Sequence, residues 1–126
     1  MIPKQQDIRE RTFQFALATV TNCIRIKEQH KEYILTGQLI RSATSVGANM
    51  REARNAESKA DFIHKLSICQ KECDESIYWL ELLMALLKEE QNDMIELHDE
   101  ANQLLRIIRS ISMKTKANST WKKRSS

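Results

Sequence analysis

The sequence predicts an all-α chain folded as an antiparallel up-down four-helix bundle, and three observations carry that expectation. Glycine and proline are scarce, with 2 Gly and 1 Pro in 126 residues, and Pro3 stands before any helix begins. Strands and tight turns need more of this punctuation. Four segments repeat their apolar residues at alternating three- and four-residue spacings, which stacks them on one helical face. The connectors between these segments are short, as antiparallel neighbours require.

The first segment runs from Asp7 to about Gln29. Asp7 is placed to cap it, with Glu10 three residues on. Phe13, Leu17, Val20 and Ile24 form its expected core-facing stripe. A connector from His30 to Leu35 follows. The second helix is expected to start at Thr36, whose hydroxyl is suited to capping, with Leu35 and Ile40 at the positions of a hydrophobic staple. Leu39, Ala43, Val46, Met50 and Ala53 make its stripe. Ala43, Ser45, Gly47 and Ala48 crowd small residues onto this helix. A glycine inside a helix costs about 1 kcal/mol relative to alanine, so Gly47 points to close packing by a neighbouring backbone.

Ser58-Lys-Ala-Asp61 reads as a capping-box variant opening the third helix. Phe62, Leu66, Cys69, Cys73, Ser76, Leu80, Leu83 and Leu87 then alternate without a break, and Ile63, Ile77 and Met84 widen the stripe. A helix over residues 59–89 would be roughly 45 Å long at 1.5 Å per residue, and needs partners along its whole extent. Gln91-Asn92 is the expected break, with Asn92 or Asp93 capping a fourth helix built on Met94, Leu97, Ala101, Leu104, Ile108 and Ile111. The bundle thus occupies residues 1–116, and 117–126 form a basic polar tail expected to be flexible. A 3.5-residue period suits helices crossing at about 20°. An extended coiled coil is the alternative; stripes broader than a strict seam favour the bundle.

A chain of this length buries enough surface to fold without a disulfide or a metal. No run of about 18 apolar residues suggests a membrane span, and the N-terminal residues lack the apolar centre of a secretory signal. A cytoplasmic protein is expected. The 3 cysteines, an odd number, argue against a disulfide framework. Cys69 and Cys73 would be half of a metal site or small core residues; a closed site needs four ligands, and no matching pair occurs elsewhere. Charge is divided unevenly. Residues 1–100 carry 13 Lys/Arg against 17 Asp/Glu, a net −4, whereas 101–126 carry 7 Lys/Arg and no acid. These are Arg106, Arg109, Lys114, Lys116, Lys122, Lys123 and Arg124, a possible footprint for a polyanion.

Catalysis finds no support. His30, His64 and His98 lie in separate segments without a neighbouring nucleophile. Asp61-x-x-His64 has the spacing of one half of a carboxylate-bridged di-metal site, but such bundles need two Glu-x-x-His motifs and two more carboxylates. Two isolated glycines cannot form a phosphate-cradling loop. No enzyme activity, metal or cofactor is expected.

Beside the apolar stripe of the second helix runs a polar row, Arg41, Ser45, Asn49 and Glu52, at helical neighbour spacing. The third helix carries Lys65, Lys71, Glu72, Glu75, Tyr78 and Trp79 beside its own. These groups are either solvated faces or opposed charges that fix register, within the chain or between chains. The run Gln38-Leu-Ile-Arg41-Ser-Ala-Thr-Ser45-Val-Gly-Ala-Asn49-Met-Arg-Glu52-Ala resembles the signature of the 23S rRNA intervening sequence proteins, the S23 family. So do Ser58-Lys-Ala-Asp-Phe62-Ile-His-Lys65-Leu and Lys71-Glu72-x-x-Glu75-Ser-x-Tyr78-Trp79-Leu80. The resemblance covers about residues 13–116 and leaves the tail outside it. Ala43, Met50, Cys69 and Cys73 depart mildly from the usual pattern.

The resemblance implies a bacterial cytoplasmic bundle, without enzymatic activity, assembled as a homopentamer with a central channel. Arg41, Ser45, Asn49, Glu52, Lys71, Glu72, Glu75 and Trp79 become its structural or interface positions. Accessory variability determinant proteins of diversity-generating retroelements are related, and bind nucleic acid and a reverse transcriptase. Two functions follow as expectations. One is a homo-oligomer that binds RNA or DNA through the basic C-terminal quarter, where Trp121 either stacks on a base or belongs to a solubilising tail. The other is a protein-interaction scaffold with no nucleic-acid role.

Overall fold

The computed structural model of the chain describes residues 7–121. Four helices make an up-down-up-down bundle: α1 (Ile8–His30), α2 (Ile34–Arg54), α3 (Lys59–Leu86) and α4 (Gln91–Ala117), with a 3-10 turn at Lys88–Glu90 between the last two. Consecutive helices pack side by side, α1 closes against α4, and among the described residues the backbones of the two diagonal pairs do not approach closely. The core is Phe15, Ile26, Leu39, Val46, Leu66, Leu80, Leu83, Met94, Leu104 and Ile108, all fully buried, among smaller residues including Cys23, Cys69 and Cys73.

α1 begins as expected. The Asp7 carboxylate accepts from the N–H groups of Arg9 (2.9 Å) and Glu10 (3.0 Å), satisfying donors that a helix start leaves open. Its buried face is another matter. Phe13, Leu17 and Ile24, expected in the core, are about half exposed, at 48%, 52% and 52%, while Arg11, Thr12, Phe15, Thr19, Cys23 and Ile26 are buried. The expected stripe therefore faces outward, and half of the buried residues of α1, Arg11, Thr12 and Thr19, are polar. Lys31 ends α1 in the left-handed region (φ 56°), a conformation in which glycine or asparagine is usual.

α2 starts two residues before the expected Thr36. The side chain of Glu32 accepts from the N–H groups of Ile34 (3.2 Å), Leu35 (3.1 Å) and Thr36 (2.9 Å), so a carboxylate rather than a hydroxyl serves the first turn. Thr36 is buried inside the helix and donates to the Glu32 carbonyl (2.7 Å). The expected stripe of Leu39, Ala43, Val46, Met50 and Ala53 is buried throughout. A Cβ on Gly47 would lie 3.4 Å from the Thr12 carbonyl oxygen of α1, the close backbone approach that its presence suggested.

Ser58 caps α3 by accepting from Asp61 N–H (3.0 Å), and the Asp61 carboxylate accepts from Glu57 N–H (3.1 Å). The helix stops at Leu86, three residues short of expectation, and the break falls at Leu87 rather than Gln91-Asn92. Gln91 is already the first residue of α4, after Glu90 at the cap position. The 3-10 turn carries the Glu90 side chain inward to meet α1, which a continued helix would not.

Candidate functional site

Three surfaces of the bundle bear on function. The first is the α2–α3 seam. Arg41 of α2 bonds Glu72 (3.3 Å) and Glu75 of α3, and Glu75 also accepts from the Trp79 indole N–H (3.0 Å). Farther along, Glu52 pairs with Lys65 (3.0 Å). Asn49 donates to both the carbonyl (2.9 Å) and the hydroxyl (3.0 Å) of Ser45. Lys71 is exposed one turn before Glu75. In the core beneath, the hydroxyls of Ser42 and Ser76 meet at 2.8 Å. Arg41 with Glu72 and Glu75, and Glu52 with Lys65, thus pair across two facing helices of one chain, while Lys71 forms no ion pair among the described residues. The Trp79 indole, then Arg41, hold the Glu75 carboxyl below its usual range; the bond to Glu75 raises Arg41, and that to Glu52 raises Lys65.

The second surface is the end of α4. Arg106, Arg109, Lys114 and Lys116 are all exposed on its last three turns, and none forms an ion pair among the described residues. Lys122, Lys123 and Arg124 lie outside the described residues. Trp121 is half-buried, with its ring centroid 6.4 Å from that of Phe62 on α3. The Lys59 ammonium donates to the carbonyls of Lys116 (3.3 Å) and Asn118 (2.6 Å), satisfying acceptors that the helix end leaves open.

The third surface is the outward ladder of α1, Phe13, Leu17 and Ile24 with half-buried Val20 between them. Beside it an open groove of about 1090 Å³ runs between α1 and α2, over Phe13, Ala16, Thr44, Gly47 and Ala48, with charged residues at its mouth. The ladder thus leaves three large apolar side chains about half exposed along the outer face of α1.

Sequence reasoning missed the polar links of the α1–α4 seam. Arg11 and Glu100, both 5% exposed, form a two-bond pair at 3.1 and 2.7 Å, and Arg11 also donates to the Gln103 side chain (3.1 Å). Near the other end Arg25 joins Glu90 (2.7 Å) and Asp93 (2.9 Å), while the His30 ring meets Glu90 at 2.8 Å. Burial pushes the Glu90 carboxyl up, but the bonds from His30 and Arg25 outweigh it and hold it below its usual range.

The thiols offer no reactive centre. Burial pushes Cys23, Cys69 and Cys73 up to about 12, and Cys69 and Cys73 point at the carbonyls of Val46 (3.6 Å) and Ala101 (3.2 Å) on different helices. Among the described residues, no three His, Cys, Asp or Glu side chains are grouped to hold a metal, and no helix is long and apolar enough to cross a membrane.

The sequence model of the family described as 23S rRNA-intervening sequence protein matches residues 4–110. The chain belongs to that family. Its fold is shared by a solved structure of a protein of unknown function from the S23 ribosomal protein family of Bacteroides thetaiotaomicron. The two are 34% identical with a TM-score of 0.81, over 84% of this chain and 98% of that one. No curated protein matches the chain. For this S23-family chain, the match takes in the paired α2–α3 motif and the α1 ladder, and stops at residue 110, between Arg109 and Lys114.

Proposed function

We propose that this S23-family protein is a non-enzymatic cytoplasmic bundle that self-associates along α1 and holds RNA or DNA on its basic surface. The observation that carries the nucleic-acid reading is the group of four exposed cations on the last turns of α4, none engaged by a carboxylate among the described residues. Four other cations, Arg11, Arg25, Arg41 and Lys65, are neutralised within the fold. Unpaired cations on one rigid helix suit a phosphate backbone, where each contact releases a condensed counterion. The α1 ladder supports self-association, because in a ring, where contacts are heterologous, it would be covered by a different face of the next copy. The pentamer implied by the family, and kinship with the retroelement accessory proteins, belong to this proposal. Several copies would combine weak single contacts through avidity.

Light scattering, with RNA and DNA binding titrated across salt on the same nuclease-treated sample, tests the reading. An oligomer meeting about six phosphates has a log affinity that falls with log salt at a slope of roughly −5. The second reading, a protein-interaction scaffold, is favoured by the ladder alone. An oligomer that ignores nucleic acid at low salt would select it.

A further inference from the structure

The antiparallel path sorts charge along the bundle axis in a way the linear sequence hides. The start of α1, the end of α2, the start of α3 and the end of α4 all lie at one end, as the contacts of Phe62 with Trp121 and of Lys59 with Asn118 require. Residues 7–19, 45–71 and 100–121, with the buried Arg11–Glu100 pair kept together, make up that half and carry 11 Lys/Arg against 6 Asp/Glu, a net +5. Residues 20–44 and 72–99, with the Arg41–Glu72 pair kept together, make up the opposite half and carry 5 against 11, a net −6. Residues 1–100 are acidic in sum, yet they supply much of the basic end: Arg51 and Arg54 on the last turn of α2, and Lys59 at the start of α3.

Arg51 and Arg54 are exposed and form no ion pair among the described residues. They lie about as far from the bundle end as Arg109 and Lys114 on the diagonally placed α4. Packed helix axes are roughly 8–10 Å apart, so the diagonal is roughly 11–14 Å. A duplex presents one charge per about 1.7 Å of its axis, and so offers several phosphates over that width. Arg51 and Arg54 line the rim of the α1–α2 groove, so the ligand must span the end of the bundle from that groove to α4. Lys59, bound to neutral carbonyls, lies between them on α3 and keeps its charge uncompensated.

We infer that the phosphate-binding surface is the basic end of the bundle as a whole, with Arg51 and Arg54 of α2 contacting the same nucleic acid as Arg106, Arg109, Lys114 and Lys116 of α4. The inference rests on the nucleic-acid reading above and adds residues that the C-terminal charge run does not contain. It also gives the protein a polarity: the acidic end repels the ligand that the basic end attracts.

The test is fluorescence anisotropy with a labelled single-stranded RNA and a labelled DNA duplex, each titrated across a salt series. The full chain is compared with Arg51→Gln/Arg54→Gln, Arg106→Gln/Arg109→Gln and, at the acidic end, Lys31→Gln/Lys88→Gln. Removing two phosphate contacts flattens the log–log salt slope by about 1.8 on duplex and about 1.4 on single strand. That flattening is expected for both arginine pairs and not for the lysine pair. A wild-type slope in Arg51→Gln/Arg54→Gln beside a flattened one in Arg106→Gln/Arg109→Gln overturns the inference and leaves nucleic-acid binding on α4 alone. Equal flattening by the lysine pair also overturns it, because binding would then follow overall charge. No binding by the wild-type chain at low salt overturns this inference and the nucleic-acid reading together. The exchanged arginines hold no other side chain among the described residues, so thermal melting of each variant is expected to match wild type.

Discussion

Arg11 places its guanidinium inside the α1–α4 seam, where two carboxylate oxygens of Glu100 and the amide oxygen of Gln103 receive it. Taking both ions out of water costs several kcal/mol each, and their attraction returns it only because the geometry is bidentate. Breaking the pair from one side is far costlier than removing it whole. Glu100→Gln leaves the buried guanidinium without its counter-charge, and is expected to lose roughly 3–5 kcal/mol of unfolding free energy. The double variant Arg11→Met/Glu100→Leu should lose much less. Urea unfolding of the three chains checks this, and equal losses would mean that the pair is not a coupled unit. Nothing in the local sequence distinguishes Arg11 from Arg9 two residues earlier. What separates them is the presence of Glu100, 89 residues away, on the helix that happens to pack there.

α1 shows how far helical periodicity reaches as an argument about elements. The alternation of Phe13, Leu17, Val20 and Ile24 correctly indicates a helix, yet assigns its inward face wrongly. Choosing the inward face from apolar spacing weighs hydrophobicity alone, and here Thr12, Thr19 and Cys23 go inside with Phe15 and Ile26. At the start of α1, α2 brings Gly47 close to the backbone at Thr12. In α2, α3 and α4, with one dominant stripe each, the legible pattern and the buried face coincide. The misplaced ladder is also the element on which the proposed self-association rests. Leu17→Glu/Ile24→Glu is expected to dissociate the oligomer to monomers in light scattering while the thermal midpoint of the monomer changes little, since both residues are about half exposed. An unchanged mass would exclude α1 as the assembly surface. Of the candidate site, the α2–α3 motif was legible because its partners recur at helical spacing on consecutive helices. The α1–α4 links join the two chain ends and leave no such trace.

Across the bundle as a whole, polar pairs stitch the seams and make stability depend on acid. Glu75 and Glu90 have carboxyls held below the unfolded value of 4.5. A carboxyl depressed in the native state adds stability that is present above its unfolded pKa and lost as pH falls through the folded one. The stability gap between wild type and Glu90→Gln should therefore narrow as pH drops below 4.5. Urea midpoints across that range measure it; a gap that stays constant would mean that Glu90 contributes by packing rather than charge. Local pattern was enough to establish that the chain is helical, that it has four helices, and where most of their apolar stripes lie. Backbone propensity, capping and three-four periodicity act over a few residues, and a linear chain displays them. The inward face of α1, the pairing of Arg11 with Glu100, and the division into a basic and an acidic end emerged only once the chain was folded. Each depends on which distant segments the antiparallel path brings side by side, and charge, burial and apolar contact act through space rather than along the chain.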